Sequence, residues 1–148
     1  MKKCKRRNDI GLLIKLVDNR IKKAINKNLI RFNLTATQEK VMWSIFRMQE
    51  HSKDVFQKDI ERELDLSNPT VTGILKRLEE KEMIKRIPSS EDARYKCLTL
   101  TDKGLDVIHE CMDFGVNYIE KKLTKDMTEE ELNTLITLLN KVIDNMDE

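Results

Sequence analysis

Three residues, Asp65-Leu66-Ser67, separate two short helical patterns and constrain this 148-residue chain more than any other stretch. Before them, about Gln57 to Leu64 buries Ile60 and Leu64. After them, about Asn68 to Lys81 sets Val71, Ile74, Leu75 and Leu78 on one face at helical spacing. So short a joint makes the second helix turn back across the first. Pro69 suits the first helical position, where no N–H is needed, which favours Asn68 over Ser67 as the cap.

Two strands are expected next, about Ile84 to Ile87 and about Tyr95 to Leu100. The polar run Pro88-Ser89-Ser90-Glu91-Asp92-Ala93-Arg94 forms the hairpin tip between them. Alternation places Leu98 and Leu100 on one face and Tyr95, Cys97 and Thr99 on the other.

Long helices flank this unit, in keeping with only four Gly and two Pro in the chain. The first runs from about Asp9 to Ile30, with Ile10, Leu13, Ile14, Val17, Ile21, Ala24 and Ile25 in one stripe. Thr35 and Gln38 have the capping-box pattern for a second helix, with Val41, Met42, Ile45 and Phe46 as its buried face. His51-Ser52-Lys53-Asp54 is a polar break, and Val55 is read as a very short strand. A helix from Thr101 or Asp102 to about Leu123 carries Leu105, Ile108, Met112, Gly115, Ile119 and Leu123. The last begins at a Thr128–Glu131 box and carries Leu132, Leu135, Ile136, Leu139, Val142, Ile143 and Met146. These outer helices hold more apolar surface than the small central unit can cover, which predicts a second copy of the chain. Charge is divided between the ends: residues 1–31 have 11 Lys/Arg and 2 Asp/Glu, net +9, and residues 126–148 have 1 Lys and 7 Asp/Glu, net −6. The two ends either meet or are solvated independently.

The outward face of the fourth helix comprises Asn68, Pro69, Thr70, Thr72, Gly73, Lys76 and Arg77. It is small and polar early and cationic late. Short side chains let a helix N-terminus sit deep in a major groove, and the later cations can neutralise phosphates. The same pattern also suits an ordinary solvated helix face, so the hairpin matters. At its tip, Arg94 can enter a minor groove and Asp92 can hold the guanidinium, or the two form a surface ion pair of little worth.

The stretch from Gln57-Lys58-Asp59-Ile60 to Gly104 resembles the MarR family of transcription regulators. Leu66-Ser67-Asn68-Pro69-Thr70-Val71-Thr72, Leu78-Glu79-Glu80-Lys81, Ile84-Lys85-Arg86, Glu91-Asp92-Ala93-Arg94 and Leu98-Thr99-Leu100-Thr101-Asp102-Lys103-Gly104 carry the resemblance. It implies a mainly α fold with a small antiparallel hairpin: a winged helix-turn-helix at about 35–101, with dimerisation helices at about 9–31 and 102–147, all within one domain spanning 1–148. It also implies a homodimer that binds palindromic double-stranded DNA, usually as a repressor relieved by a small phenolic or lipophilic ligand. The family's base-contacting positions fall on Ser67, Pro69, Thr70, Thr72, Gly73, Lys76 and Arg77, and its wing pair on Asp92 and Arg94; Asn68 lies within the same helix start. Two departures stand out. Glu82 occupies the position where the family usually has Gly, and Ala93 replaces a frequent basic residue.

Other classes find less support. No phosphate-cradling glycine loop, nucleophile elbow or metalloprotease helix motif is present, so no enzyme and no cofactor is expected. No apolar run approaches a membrane span and no signal region follows the basic N-terminus, so the expected location is the cytoplasm. Trp43, Phe46, Met42 and Met112 could line an effector pocket or simply form core. Cys4, beside Lys3, Lys5 and Arg6, suits a redox sensor; Cys97 and Cys111 are expected to be buried. His109 and Asp113 are a weak metal pair. A winged helix serving as a protein-interaction module would need an apolar or acidic outward face, which this chain lacks.

Overall fold

In the computed structural model, which describes residues 9–51 and 54–147, local capping chemistry opens most helices. Helix α1 (Ile10–Leu29) starts at Asp9, whose carboxylate accepts the Leu12 N–H at 3.2 Å. It ends in a 3-10 turn, Ile30–Phe32, closed by left-handed Asn33. Helix α2 (Ala36–His51) has the expected capping box: Gln38 N–H to the Thr35 hydroxyl and Thr35 N–H to the Gln38 carboxamide, each 3.2 Å. Of the polar break that follows, Ser52 and Lys53 lie outside the described residues, as do Cys4 and its basic neighbours.

Helix α3 (Gln57–Leu64) gives way to α4 (Asn68–Glu80) through left-handed Asp65. The cap of α4 is Ser67, not Asn68: its Oγ accepts the Thr70 N–H at 3.4 Å. Pro69 therefore stands second in the helix, where its missing N–H is equally harmless because the first four are all unpartnered. Val71, Leu75 and Leu78 are fully buried, Ile74 partly so. They pack into a core with Val41, Met42 and Ile45 of α2 and Ile60 of α3.

Strands β1 (Ile84–Pro88) and β2 (Lys96–Leu100) pair antiparallel, Ile84 opposite Leu100 and Pro88 opposite Lys96. Leu98 and Leu100 enter the core as expected. Cys97 is buried too, although alternation turns it to the other face; the α2–α3 connection covers it there, its Sγ 3.6 Å from an Asp54 oxygen. Val55 is not a strand: it offers a single carbonyl, which accepts the Leu98 N–H at 2.7 Å.

The turn from α4 into β1 is a Schellman motif with Glu82, φ 59°, at the left-handed position that usually takes glycine. Met83 N–H returns to the Leu78 carbonyl and Glu82 N–H to that of Glu79, each at 2.9 Å. Buried Met83 and Leu78 supply the apolar contact of the motif. The helix end at Glu82 is thus a regular one built on an unfavourable residue. The N-terminus of α5 (Asp102–Asp113) docks on this turn. The Thr101 hydroxyl accepts the Gly104 N–H at 3.0 Å and donates to the Glu82 carbonyl at 2.6 Å; Lys103 Nζ donates to the Lys81 carbonyl at 2.9 Å. This is what Leu-Thr-x-x-Gly accomplishes: a helix cap that also satisfies the carbonyls at the end of α4.

The chain divides into two compact units, the first ending at Asp113 and the second beginning at Phe114. The helix expected to continue to Leu123 is α-helical only to Asp113. Phe114–Glu120 is π-helical, followed by the short α6 (Lys121–Leu123). Gly115 and Val116 are weak α-formers there, and the Phe114 and Tyr118 rings stack at 4.8 Å. Helix α7 (Glu129–Met146) opens with the Thr128–Glu131 box, at 2.9 and 3.1 Å, and buries none of its residues.

Candidate nucleic-acid interface

The start of α4 is ordered by its own polar side chains. Ser67 and Thr70 hydroxyls lie 2.8 Å apart, and Asn68 Nδ2 donates to Glu61 of α3 at 3.3 Å. Gln57, first residue of α3, reaches across with its carboxamide nitrogen 2.8 Å from the Thr72 hydroxyl. Ser67, Asn68, Pro69, Thr70, Thr72, Gly73, Lys76 and Arg77 are all exposed. A Cβ added to Gly73 would meet nothing within 4 Å, so the outward face is flat and open at that point.

The hairpin tip presents Arg94, its side chain 86% exposed beside the 32% exposed Asp92. Arg94 Nε lies 3.0 and 3.1 Å from the two carboxylate oxygens, Nη2 2.7 Å from one, and the Arg94 backbone N–H 3.1 Å from the other. The Asp92 carboxylate therefore fixes both the chain and the guanidinium of the residue two places on. Hydrogen bonds from Arg94 hold the Asp92 carboxyl below the usual carboxylate range, and the same bond raises the Arg94 pKa. The guanidinium keeps donors free on its outer edge for an anion.

Two features of this surface are illegible in the sequence. One is Gln57, whose link to Thr72 spans fifteen residues. The other is Asp54, which accepts from Ser89 Oγ at 2.8 Å and Ser90 Oγ at 3.4 Å and so ties the α2–α3 connection to the base of the wing. No sequence signal marks Asp54; a Gln opening a short helix ahead of a Thr-rich one is the available hint for Gln57.

The candidate sensing residues separate. Met42 lies in the core, whereas Trp43 stacks on Phe46 at 5.6 Å and His109 meets Phe46 edge-on at 5.6 Å. Cys97 is buried and Cys111 half-buried, and burial pushes both thiols up, Cys111 to about 11. Among the described residues no three His, Cys, Asp or Glu cluster as a metal site would need, and no helix is long and apolar enough to cross a membrane.

Against known proteins, the MarR family matches at residues 34–96. The multiple antibiotic resistance protein MarR of Salmonella typhimurium is 29% identical over 134 residues, 90% of each chain. A mutant MarR from E. coli, solved in complex with operator DNA, is 28% identical; the alignment covers 90% of this chain and 92% of that one with a TM-score of 0.66. MepR, a transcription regulator of the Staphylococcus aureus multidrug efflux pump MepA, superposes with a TM-score of 0.83 over 93% of this chain and 98% of its own. At 23% identity it bears on the fold alone. These relatives are regulators rather than enzymes.

Proposed function

The chain belongs to the MarR family of winged-helix transcription regulators, and on that premise we propose that it binds a palindromic DNA site as a homodimer, repressing until a small ligand releases it. The observation that carries the reading is the pairing of an exposed, small and cationic α4 face with a wing arginine clamped at the hairpin tip. The α4 start supplies short groups for base edges. Lys76 and Arg77, farther along, meet phosphate. Arg94 reaches the minor groove beside the reading helix. Such a regulator acts in the cytoplasm.

The homodimer draws support from apolar side chains that one chain leaves uncovered. Ile10, Leu13, Ile14 and Val17 are exposed on α1, and Leu135, Ile136, Leu139, Ile143 and Met146 on α7. These side chains are 36–81% exposed, so a partner that covers one adds that remaining share of the about 1.5–3 kcal/mol released when such a side chain goes from full exposure to full burial. Repression and ligand release are carried over from the family.

Selection of bound fragments from a random DNA pool tests the reading. Enrichment of an inverted repeat with half-sites about 10 bp apart is expected, and sedimentation at micromolar concentration should give a dimer. No enrichment would overturn DNA reading, and a stable monomer would overturn the assembly.

A further inference from the structure

We propose that Gln57 sets the hydrogen-bonding polarity of Thr72, so that α4 presents this hydroxyl as a donor to an acceptor on a base edge. The proposal rests on the reading of the α4 face as the one that meets DNA, and it adds which chemistry that face selects at one position.

The orientation of the Gln57 carboxamide is fixed by its second neighbour. Its nitrogen lies 2.8 Å from Thr72 Oγ1 and 3.4 Å from the Asn68 backbone oxygen. A carbonyl oxygen only accepts, so the end of the amide turned toward α4 is the NH2 group. Thr72 Oγ1 therefore accepts from Gln57, and its own proton is left over.

Threonine within a helix commonly gives that proton to the carbonyl four residues back. Thr124 does so to Glu120 and Thr137 to Asn133, each at 2.9 Å. For Thr72 the corresponding carbonyl is that of Asn68, which Gln57 engages instead. Among the described residues the Thr72 hydroxyl has no acceptor, and the residue is exposed on the outward face. That donor is therefore left for a partner outside the protein.

In a major groove a donor suits guanine N7 and O6, adenine N7 or thymine O4. Cytosine offers only its amino group, itself a donor. The base facing Thr72 is therefore selected against cytosine. Gln57 contacts no base in this scheme; it is a positioning residue that acts through Thr72.

Binding to sites substituted with each base at every half-site position provides the test. The wild-type protein should disfavour cytosine at one position per half-site by roughly fivefold, the scale of one hydrogen bond. Thr72→Val should erase that preference there and nowhere else, and Gln57→Met should flatten the same position. Gln57→Glu is the sharper variant. Its carboxylate accepts the Thr72 proton and turns lone pairs toward the base, so cytosine and adenine should become favoured at that position. Gln57 variants that weaken all sites equally, with the base profile unchanged, would overturn the proposal while leaving DNA reading intact. A shift at a position that Thr72→Val leaves alone would overturn it as well. Failure of the wild-type protein to select any DNA would instead bring down the reading beneath it.

Discussion

Gly104 lies so close to the Met83 carbonyl that a Cβ built on it would stand 2.1 Å from that oxygen. The Thr101 N–H donates to the same carbonyl at 3.0 Å, and the Thr101 hydroxyl lies 3.2 Å from it. The start of α5 and the exit of α4 thus share one crowded oxygen. Backbone, unlike a flexible side chain, cannot step aside. Gly104→Ala should cost about 1–3 kcal/mol or more, the range of an overpacked core. A urea midpoint equal to the wild type would show that the turn gives way more easily than its geometry implies.

Glu82 offers the opposite case. It holds a left-handed conformation that costs a non-glycine residue about 1–2 kcal/mol. Glu82→Gly removes most of that strain, partly offset by the freer unfolded chain. A gain of about 1 kcal/mol is expected, or about 2–4 °C in Tm for a domain of this size. Calorimetry that finds no gain would mean that the strain is compensated elsewhere.

Gly73 separates stability from recognition. Its surroundings are open, so Gly73→Ala meets no clash and should stabilise the helix by about 0.5–1 kcal/mol. On the face proposed to meet DNA, the added methyl would fill space that base edges occupy. Affinity should fall on the order of tenfold, the scale of one mismatched base pair. Melting and fluorescence-anisotropy measurements on the same sample would decide; unchanged affinity would remove Gly73 from the reading face.

Removal of an acidic residue ordinarily strengthens DNA binding. Asp92→Asn should weaken it, because the carboxylate holds Arg94 in place through both backbone and side chain. Arg94→Ala should weaken it further, most at sites with A·T-rich flanks, and the two losses should not add. Tighter binding by Asp92→Asn would show Asp92 to be a mere repulsive charge.

Burial first, and the Glu39 and Glu110 carboxylates second, push the pKa of Cys111 up to about 11, against Arg31, which lowers it. A folded-state pKa above the ordinary 9.0 means that the folded chain keeps the proton longer. Its contribution to stability is therefore whole below about pH 9 and lost as pH rises toward 11. Iodoacetamide should modify Cys111 at pH 8 on the order of 100-fold more slowly in the native protein than in urea, since only thiolate reacts. Equal rates would show that burial does not shield this thiol.

The sequence disclosed what is decided within a few residues. The Thr35–Gln38 and Thr128–Glu131 boxes, the Asp65 turn and the Asp92–Arg94 pair join groups two to four positions apart, and each forms as its spacing implies. What it hid depends on distant partners or on small differences in energy. Cys97 is buried as expected, but what covers it on that face is Asp54, forty-three residues earlier, which no local pattern announces. The change from α- to π-helix at Phe114 preserves the apolar composition of the stripe and alters its winding, which composition cannot report. Ser67 and Asn68 are both good caps, and only the Thr70 N–H chooses between them.

The anchoring of the wing through Asp54 has a consequence for the order of events in folding. Strands β1 and β2 are sequence neighbours, so the hairpin can close early on a microsecond scale. The bonds from Asp54 to Ser89 and Cys97 span 35 and 43 residues. They wait on a loop closure that costs more entropy. The wing is therefore a local structure fastened by a late, long-range clasp. In native-state hydrogen exchange the amides of its tip, beyond the strand residues Ile84, Leu98 and Leu100 that the core holds, should open together as one cooperative piece when that clasp breaks and well before the α2–α4 core unfolds.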